Sequence, residues 1–279
     1  MNAMNKDEFK IMCGDAAKCM QTIDTASVDL VVTSPPYDTL RNYTGHGSMT
    51  MGGIANVIRA LSRVMKSGGV VVWVVADKVI NGSESCTSFK TALEFVSQGF
   101  RLHDTMIWRK TNPMPRVRTK RYFDCFEYMF VFSKGQPKTF NPIMVDCKLG
   151  GKTYDSTCKN MGGESGRTHK TFKLNNKRYK DNIWDIAVAQ NKTDHPAVFP
   201  LQIAEDHISS WSNEGDLVLD PFVGSGTTGI AAKKLNRRFI GIDISEKYCE
   251  LATSRIMEFQ RPEPIPEFTQ LTLFKMEDY

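Results

Sequence analysis

The sequence predicts an α/β fold, a doubly wound and mostly parallel sheet, on three observations. Short, strongly apolar runs such as Val28–Val32, Val70–Val75 and Leu217–Leu219 read as strands buried on both faces. Between them lie stretches with apolar residues at helical spacing, joined by short linkers. The third observation is a single unit over residues 217–243: strand, glycine-rich loop, helix, and a second strand that ends in an acid. That is the nucleotide-binding βαβ pattern, in which ligands sit at the carboxyl ends of the strands.

Taken in order, Gly14-Asp15 reads as a turn before a helix, and Val28-Asp29-Leu30-Val31-Val32 as the first clear strand. This strand runs into Thr33-Ser34-Pro35-Pro36-Tyr37. Each proline fixes φ and removes a backbone donor, so the chain leaves the sheet there in a rigid, extended turn. The turn offers a hydroxyl (Ser34), a carbonyl that nothing local satisfies (Pro35) and an aromatic face (Tyr37). Together these suit a flat heterocycle with an exocyclic amino group: two acceptors for its N–H bonds and a ring to stack on. The pentapeptide by itself suits a plain strand-ending turn equally well. Ile54, Val57, Ile58, Leu61, Val64 and Met65 then recur at helical spacing, and Lys66-Ser67-Gly68-Gly69 ends that helix before the strand Val70–Val75. Phe89–Val96 suggests another helix, and Leu102–Trp108 and Glu127–Phe132 two more strands.

The βαβ unit opens with Leu217-Val218-Leu219-Asp220 and continues through Pro221-Phe222-Val223-Gly224-Ser225-Gly226-Thr227-Thr228-Gly229 into the helical stretch Ile230–Leu235. It closes with the strand Arg238–Asp243. Gly224, Gly226 and Gly229 match G-x-G-x-x-G, and no lysine follows them as a phosphate-cradling P-loop requires. Only 36 residues follow Asp243, too few to complete an open sheet. The strands of this unit must therefore pair with earlier ones, beside Asp29–Thr33. Both loops then meet at the carboxyl ends of adjacent strands.

The 279 residues allow one large α/β domain with at most a small addition. No apolar run approaches the length that spans a bilayer, and Met1–Asp7 is too polar for a signal peptide. The seven cysteines are scattered without metal-ligand spacing, which fits reduced thiols in the cytoplasm and no metal site. The net charge of +5 is modest but unevenly placed. Arg109, Lys110, Arg116, Arg118, Lys120 and Arg121 lie in one stretch free of acids. From Lys148 to Lys180 a second stretch carries Lys152, Arg167, Lys170, Lys173, Lys177 and Arg178 among others, against only Asp155 and Glu164. It is rich in Gly, Thr, Asn and Ser and shows little helical or strand periodicity. Cations mixed with hydrogen-bonding side chains are what a phosphate backbone and base edges require; a merely solvated loop has the same composition.

The two loops together resemble those of the DNA amino-methyltransferases, which use S-adenosylmethionine to methylate cytosine N4 or adenine N6. Asp220-Pro221-Phe222-Val223-Gly224-Ser225-Gly226 is similar to the family's cofactor loop, and Thr33-Ser34-Pro35-Pro36-Tyr37 to its catalytic loop. His195-Pro196-Ala197-Val198-Phe199-Pro200 also stands where members with this motif order carry a related segment. The catalytic loop precedes the cofactor loop, the order of the beta class, and the resemblance covers about residues 8 to 258. It implies that Ser34, Pro35, Pro36 and Tyr37 form the catalytic site around a flipped base. It further implies cofactor contacts from Asp15, Thr33, His195, Phe199, Pro200, Asp220, Phe222, Gly224, Gly226, Thr227 and Asp243, the last on the ribose hydroxyls. Double-stranded DNA is the implied partner, met by the basic residues of the two stretches above. Members with serine at the position of Ser34 are more often cytosine-N4 enzymes, so that base is favoured over adenine. The βαβ unit alone would also serve an NAD-dependent dehydrogenase, a reading that leaves Ser34–Tyr37 and the basic stretch without a role. A DNA-binding protein with a decayed catalytic site is a third reading, against which every motif position stands intact. RNA and protein remain alternative substrates, because Pro-Pro-Tyr loops hold amine and amide nitrogens generally.

The expected organisation is a catalytic half (1–135), a target-recognition insert (136–182), a cofactor-binding half (183–258) and a C-terminal tail (259–279). In the tail, Arg261–Glu267 alternates with prolines as an extended spacer. Beyond it Gln270-Leu271-Thr272-Leu273-Phe274 resembles the peptide by which bacterial proteins dock on the replication sliding clamp. Gln270 would make polar contacts at the rim of the clamp pocket, while Leu273 and Phe274 fill its apolar interior. The same residues also alternate as a final strand would.

Overall fold

The computed structural model describes residues 9–36, 49–113, 120–159, 167–188 and 200–260. Tyr37, Arg116, Arg118, His195, Phe199 and Gln270–Phe274, all singled out in the sequence, lie outside them.

Strand β1 (Phe9–Cys13) leads into the short helix α1 (Ala16–Met20), and β2 (Val28–Thr33) follows. Helix α2 (Met51–Val64) starts where Thr50 caps it by accepting from Gly53 N at 3.2 Å, and it buries the apolar stripe read from the sequence. Met65 is already extended, so β3 (Met65–Val75) begins at the helix end, five residues ahead of the expected Val70. A small hairpin, β4 (Val79–Ile80) with β5 (Ser83–Glu84), precedes α3 (Thr87–Ser97). Next come β6 (Arg101–Lys110) and β7 (Phe126–Ser133). The insert contributes β8 (Met144–Asp146), β9 (Thr153–Lys159), β10 (Arg167–Lys173) and β11 (Lys177–Tyr179), after which β12 (Ile183–Ile186) rejoins the main sheet. The chain continues through α4 (Leu201–Trp211), β13 (Leu217–Asp220), α5 (Thr227–Lys234), β14 (Arg238–Asp243) and α6 (Glu246–Glu258).

Eight strands form one sheet in the order β1-β14-β13-β2-β3-β7-β6-β12. Every neighbouring pair is parallel except those made by β7, which runs against both β3 and β6. Strand β3 shows why the sheet is doubly wound. Val70, Val72 and Val74 join one core with Ile203, Ile208, Ile230 and Ile256 of α4, α5 and α6. Val71, Trp73 and Val75 join the other with Met20, Ile54, Leu61 and Phe95 of α1, α2 and α3. A strand buried on both faces has no polar side to show, hence the unbroken valine run.

The sheet reverses its winding between β2 and β13. From β2 the chain passes through α2 to β3 on one side, and from β13 through α5 to β14 on the other. Such a switch point leaves a crevice at the strand carboxyl ends. The β2–β13 register is Leu30 with Val218 and Val31 with Leu219, whereas β2 continues along β3 as far as Thr33 beside Trp73.

The insert departs from the sequence expectation. Instead of an aperiodic loop, β9 and β10 form an antiparallel hairpin in register from Thr153–Lys173 to Lys159–Arg167, with β8 and β11 paired at its base. Thr153, Tyr154, Asp155, Thr171, Phe172 and Lys173 are all exposed. Strand alternation in a sequence comes from burying one face, and these positions bury neither. No described helix is long and apolar enough to cross a membrane.

Candidate active site

The site is organised around Asp220, the last residue of β13 and only 1% exposed. A carboxylate so deep in an apolar core needs donors, and three converge on it. Thr33 Oγ1 donates to Oδ1 at 2.6 Å, the Phe222 backbone N–H to the same oxygen at 3.0 Å, and Thr228 Oγ1 to Oδ2 at 2.7 Å. Both threonines are fully buried. Burial nevertheless dominates and pushes the Asp220 carboxyl up to about 6, against the pull of these donors. Thr33 ends β2 and Thr228 lies in the first turn of α5, so one carboxylate ties together the strand before the proline turn, the glycine loop and the helix behind it.

On the β2 side of the crevice, Ser34 and Pro36 are half-buried and Pro35 is buried. The two prolines border a cavity of about 10 Å³ with Ile54, Val75, Lys78 and Thr91, which braces the turn from below. On the other side, Phe222 sets its ring edge-on to Trp73 with centroids 5.9 Å apart, and Trp73 packs likewise on Phe95 at 5.1 Å. Trp73 is the register partner of Thr33, so an edge-on aromatic contact joins the cofactor loop to the strand beside the end of β2.

Gly226 adopts φ +85° at the N-cap of α5, a left-handed conformation in which any side chain would be strained. An added Cβ would also come within 3.1 Å of the Ala252 backbone in α6. Gly229 has another role: a Cβ there would collide with Ile256 and Phe239. The third glycine of the motif thus seats α5 against α6 and β14 rather than admitting a ligand.

Asp243 closes the far side, half-buried at the end of β14. Its Oδ2 accepts from Gly224 N at 3.0 Å and its Oδ1 from Ser245 N at 2.9 Å, so the acid also shapes the glycine loop. Gly14 N donates to the Asp243 carbonyl at 2.8 Å, which brings the end of β1 alongside. The neighbouring Asp15 caps α1, accepting from Lys18 N at 2.9 Å. The turn-and-cap reading of Gly14-Asp15 therefore describes its local structure, and its place beside Asp243 keeps it at the crevice. Thr227 is the buried first residue of α5, and Pro200 is buried at the start of α4.

The expected DNA-facing cations divide into two groups. Lys120, Lys152, Lys173 and Lys177 are exposed, and Arg167 and Lys170 belong to β10. Arg121 is already paired with Glu84, and Arg178 forks onto both oxygens of Asp181. The Arg178–Asp181 hydrogen bond raises the guanidinium pKa and lowers that of the carboxyl. Sequence reasoning missed Thr228 and Trp73. The signal for Thr228 was the buried acid itself, whose second oxygen needs a donor that the first turn of the following helix can supply; for Trp73 there was none, because its role depends on strand pairing. Among the described residues no group of histidines, cysteines and acids is placed to hold a metal ion.

Comparison with known proteins agrees with this geometry. Residues 28–254 match the N6/N4 methyltransferase family model, described as DNA methylase. The orphan methyltransferase M.BamHII of Bacillus amyloliquefaciens is 46% identical over 250 residues, covering 86% of this chain and 92% of that protein. The type II methyltransferase M.SmaI of Serratia marcescens is 26% identical, covering 91% and 92%. Among solved structures, a Thermus thermophilus protein described as a putative DNA modification methylase, in complex with S-adenosyl-L-methionine, superposes with a TM-score of 0.60. It is 28% identical, and the match covers 89% of this chain and 94% of that one.

Proposed function

Because the chain belongs to the DNA methylase family of N6 and N4 amino-methyltransferases, we propose that it methylates cytosine N4 in double-stranded DNA at a specific sequence. The observation that carries this reading is the pair of loops facing each other across the β2–β13 crevice and joined at its floor by Asp220. The choice of cytosine rests on Ser34, where an adenine-N6 enzyme more often carries Asp or Asn.

The residues present fit an adenosyl cofactor. Asp243 offers a half-buried carboxylate at a strand end to ribose hydroxyls, and Gly226 keeps a side chain out of the loop that must come close to the ligand. Phe222, Thr227 and the Gly224 backbone border the remaining space, with Asp15, Pro200, His195 and Phe199 proposed as further cofactor contacts. A similar protein was solved with S-adenosyl-L-methionine bound. When bound, that cofactor supplies an electrophilic methyl group.

The chain's own task is to deliver a nucleophile to it. A target base flipped from the duplex stacks on Tyr37. Ser34 Oγ and the Pro35 carbonyl accept the two N–H bonds of the exocyclic amine, which turns the nitrogen lone pair toward the methyl carbon. The amine is weakly nucleophilic, so the gain comes from alignment across the crevice rather than from a strong base. As the nitrogen–carbon bond forms, the methyl group would leave the cofactor's sulfur, which would keep the bonding electron pair, and the nitrogen gives one of its two protons to solvent. Arg116, Arg118, Lys120 and the insert cations Lys152, Arg167, Lys170, Lys173 and Lys177 hold the phosphate backbone, and the β9–β10 hairpin selects the sequence; a two-stranded ribbon is narrow enough to enter the major groove.

The test is nucleoside mass spectrometry after incubating the purified protein with unmethylated bacterial DNA and S-adenosylmethionine. N4-methylcytosine is expected. N6-methyladenine would replace the base assignment, and methyl transfer to RNA or protein instead of DNA would overturn the substrate.

A further inference from the structure

The backbone ladder between β2 and β13 runs through Leu30–Val218 and Val31–Leu219, short of the crevice where the two loops part. What joins the strands beyond it are side-chain bonds: Thr33 to Asp220, and Thr228 to both Asp220 and the Val32 carbonyl at 3.3 Å. Thr33 and Asp220 are 187 residues apart in sequence, and their bond spans the switch point of the sheet at its floor. Thr33 is bonded directly to Ser34, and Asp220 opens the loop that carries Phe222 and Gly224. A rigid link at this place fixes how far the amine acceptors stand from the cofactor loop.

We propose that Thr33 is a positioning residue: its hydroxyl, anchored on Asp220, sets the Ser34–Pro35 turn at the distance and angle at which methyl transfer occurs. This rests on the reading of Ser34 and Pro35 as the amine acceptors. Thr33 itself is fully buried with its hydroxyl turned to Asp220, so it acts through its neighbour rather than by touching the base or, as the family resemblance implied, the cofactor. Alignment errors of about 1 Å cost on the order of 10²-fold in rate, and loss of one anchor at the root of the turn permits such an error.

Thr33→Val removes the hydroxyl and keeps the shape; Thr33→Ser keeps the hydroxyl. The full-length proteins are compared by single-turnover methyl transfer to DNA, by calorimetric S-adenosylmethionine binding and by circular dichroism. For Thr33→Val the transfer rate should fall by about 10- to 100-fold while the cofactor dissociation constant stays within about threefold of the parent, and Thr33→Ser should recover most of the rate. If Thr33→Val does not fold, Thr33→Cys, similar in size and a weak donor, takes its place with the same expectation. A Thr33→Val rate within about threefold of the parent would overturn the proposal. So would a matching loss of cofactor affinity, or a serine variant no better than valine. Ser34→Ala, measured alongside, separates this from the underlying reading: normal turnover there removes Ser34 as an acceptor whatever Thr33 does.

Discussion

Replacing Asp220 by asparagine should change how stability depends on pH, by an amount the structure sets. In the folded protein this carboxyl is fully buried and titrates near 6, against 3.8 for a free aspartate. The fold therefore binds the proton more tightly than the unfolded chain does. Its contribution is fully present below pH 3.8 and is lost as the pH rises through 6, because the ionised form must be held in the core. Two units at 1.36 kcal/mol each make the total about 3 kcal/mol. Linkage places on the order of 1 kcal/mol of this between pH 5 and pH 8. Asparagine removes the titration and preserves the bonding. Its oxygen accepts from Thr33 and Phe222 N, its amide donates to Thr228, and the Thr228 hydroxyl turns to the Val32 carbonyl 3.3 Å away. Urea unfolding followed by tryptophan fluorescence, without cofactor, at pH 5, 6.5 and 8 gives the readout. Relative to the parent, Asp220→Asn should gain on the order of 1 kcal/mol between the lowest and highest pH. His207, buried and held down near 3, makes both proteins less stable as the pH falls below its ordinary 6.5, and this cancels in the difference. Parallel curves, or a variant that loses ground as the pH rises, would refute the argument that burial outweighs the three donors.

Asp243→Ala removes the proposed ribose acceptor and frees the Gly224 and Ser245 amides; S-adenosylmethionine affinity measured by calorimetry should fall by about 1.5–3 kcal/mol, roughly 10- to 150-fold. An unchanged constant in a folded variant would move the ribose contact elsewhere. Exchanging residues 148–180 with those of a relative should change the methylated sequence but leave the modified base the same, and DNA affinity should fall steeply with salt; specificity that stays with the body of the protein contradicts the role given to the β9–β10 hairpin. A peptide spanning 264–279 should bind a bacterial sliding clamp and lose binding on Leu273→Ala or Phe274→Ala, as seen by fluorescence anisotropy. Absence of binding at high micromolar peptide leaves the strand reading of that segment.

What the sequence determined by itself was whatever depends on neighbours along the chain. The valine run of β3, the alternating burial of α2, the proline turn after β2 and the glycine loop after β13 each follow from local sterics or from the period of burial. Tertiary structure decided the rest. The β9–β10 hairpin left no trace in the pattern because neither face of its described positions is covered, and without burial there is no period to read. Arg121 and Arg178 read as cations open to DNA until the fold set Glu84 and Asp181 against them. Gly229 matched the third position of the glycine motif, and only the packing of α6 and β14 shows what that position does. The bond between Thr33 and Asp220 crosses 187 residues, and no local rule specifies the partner of a hydroxyl. A buried acid dictates that donors must come; only the sheet order decides which ones arrive.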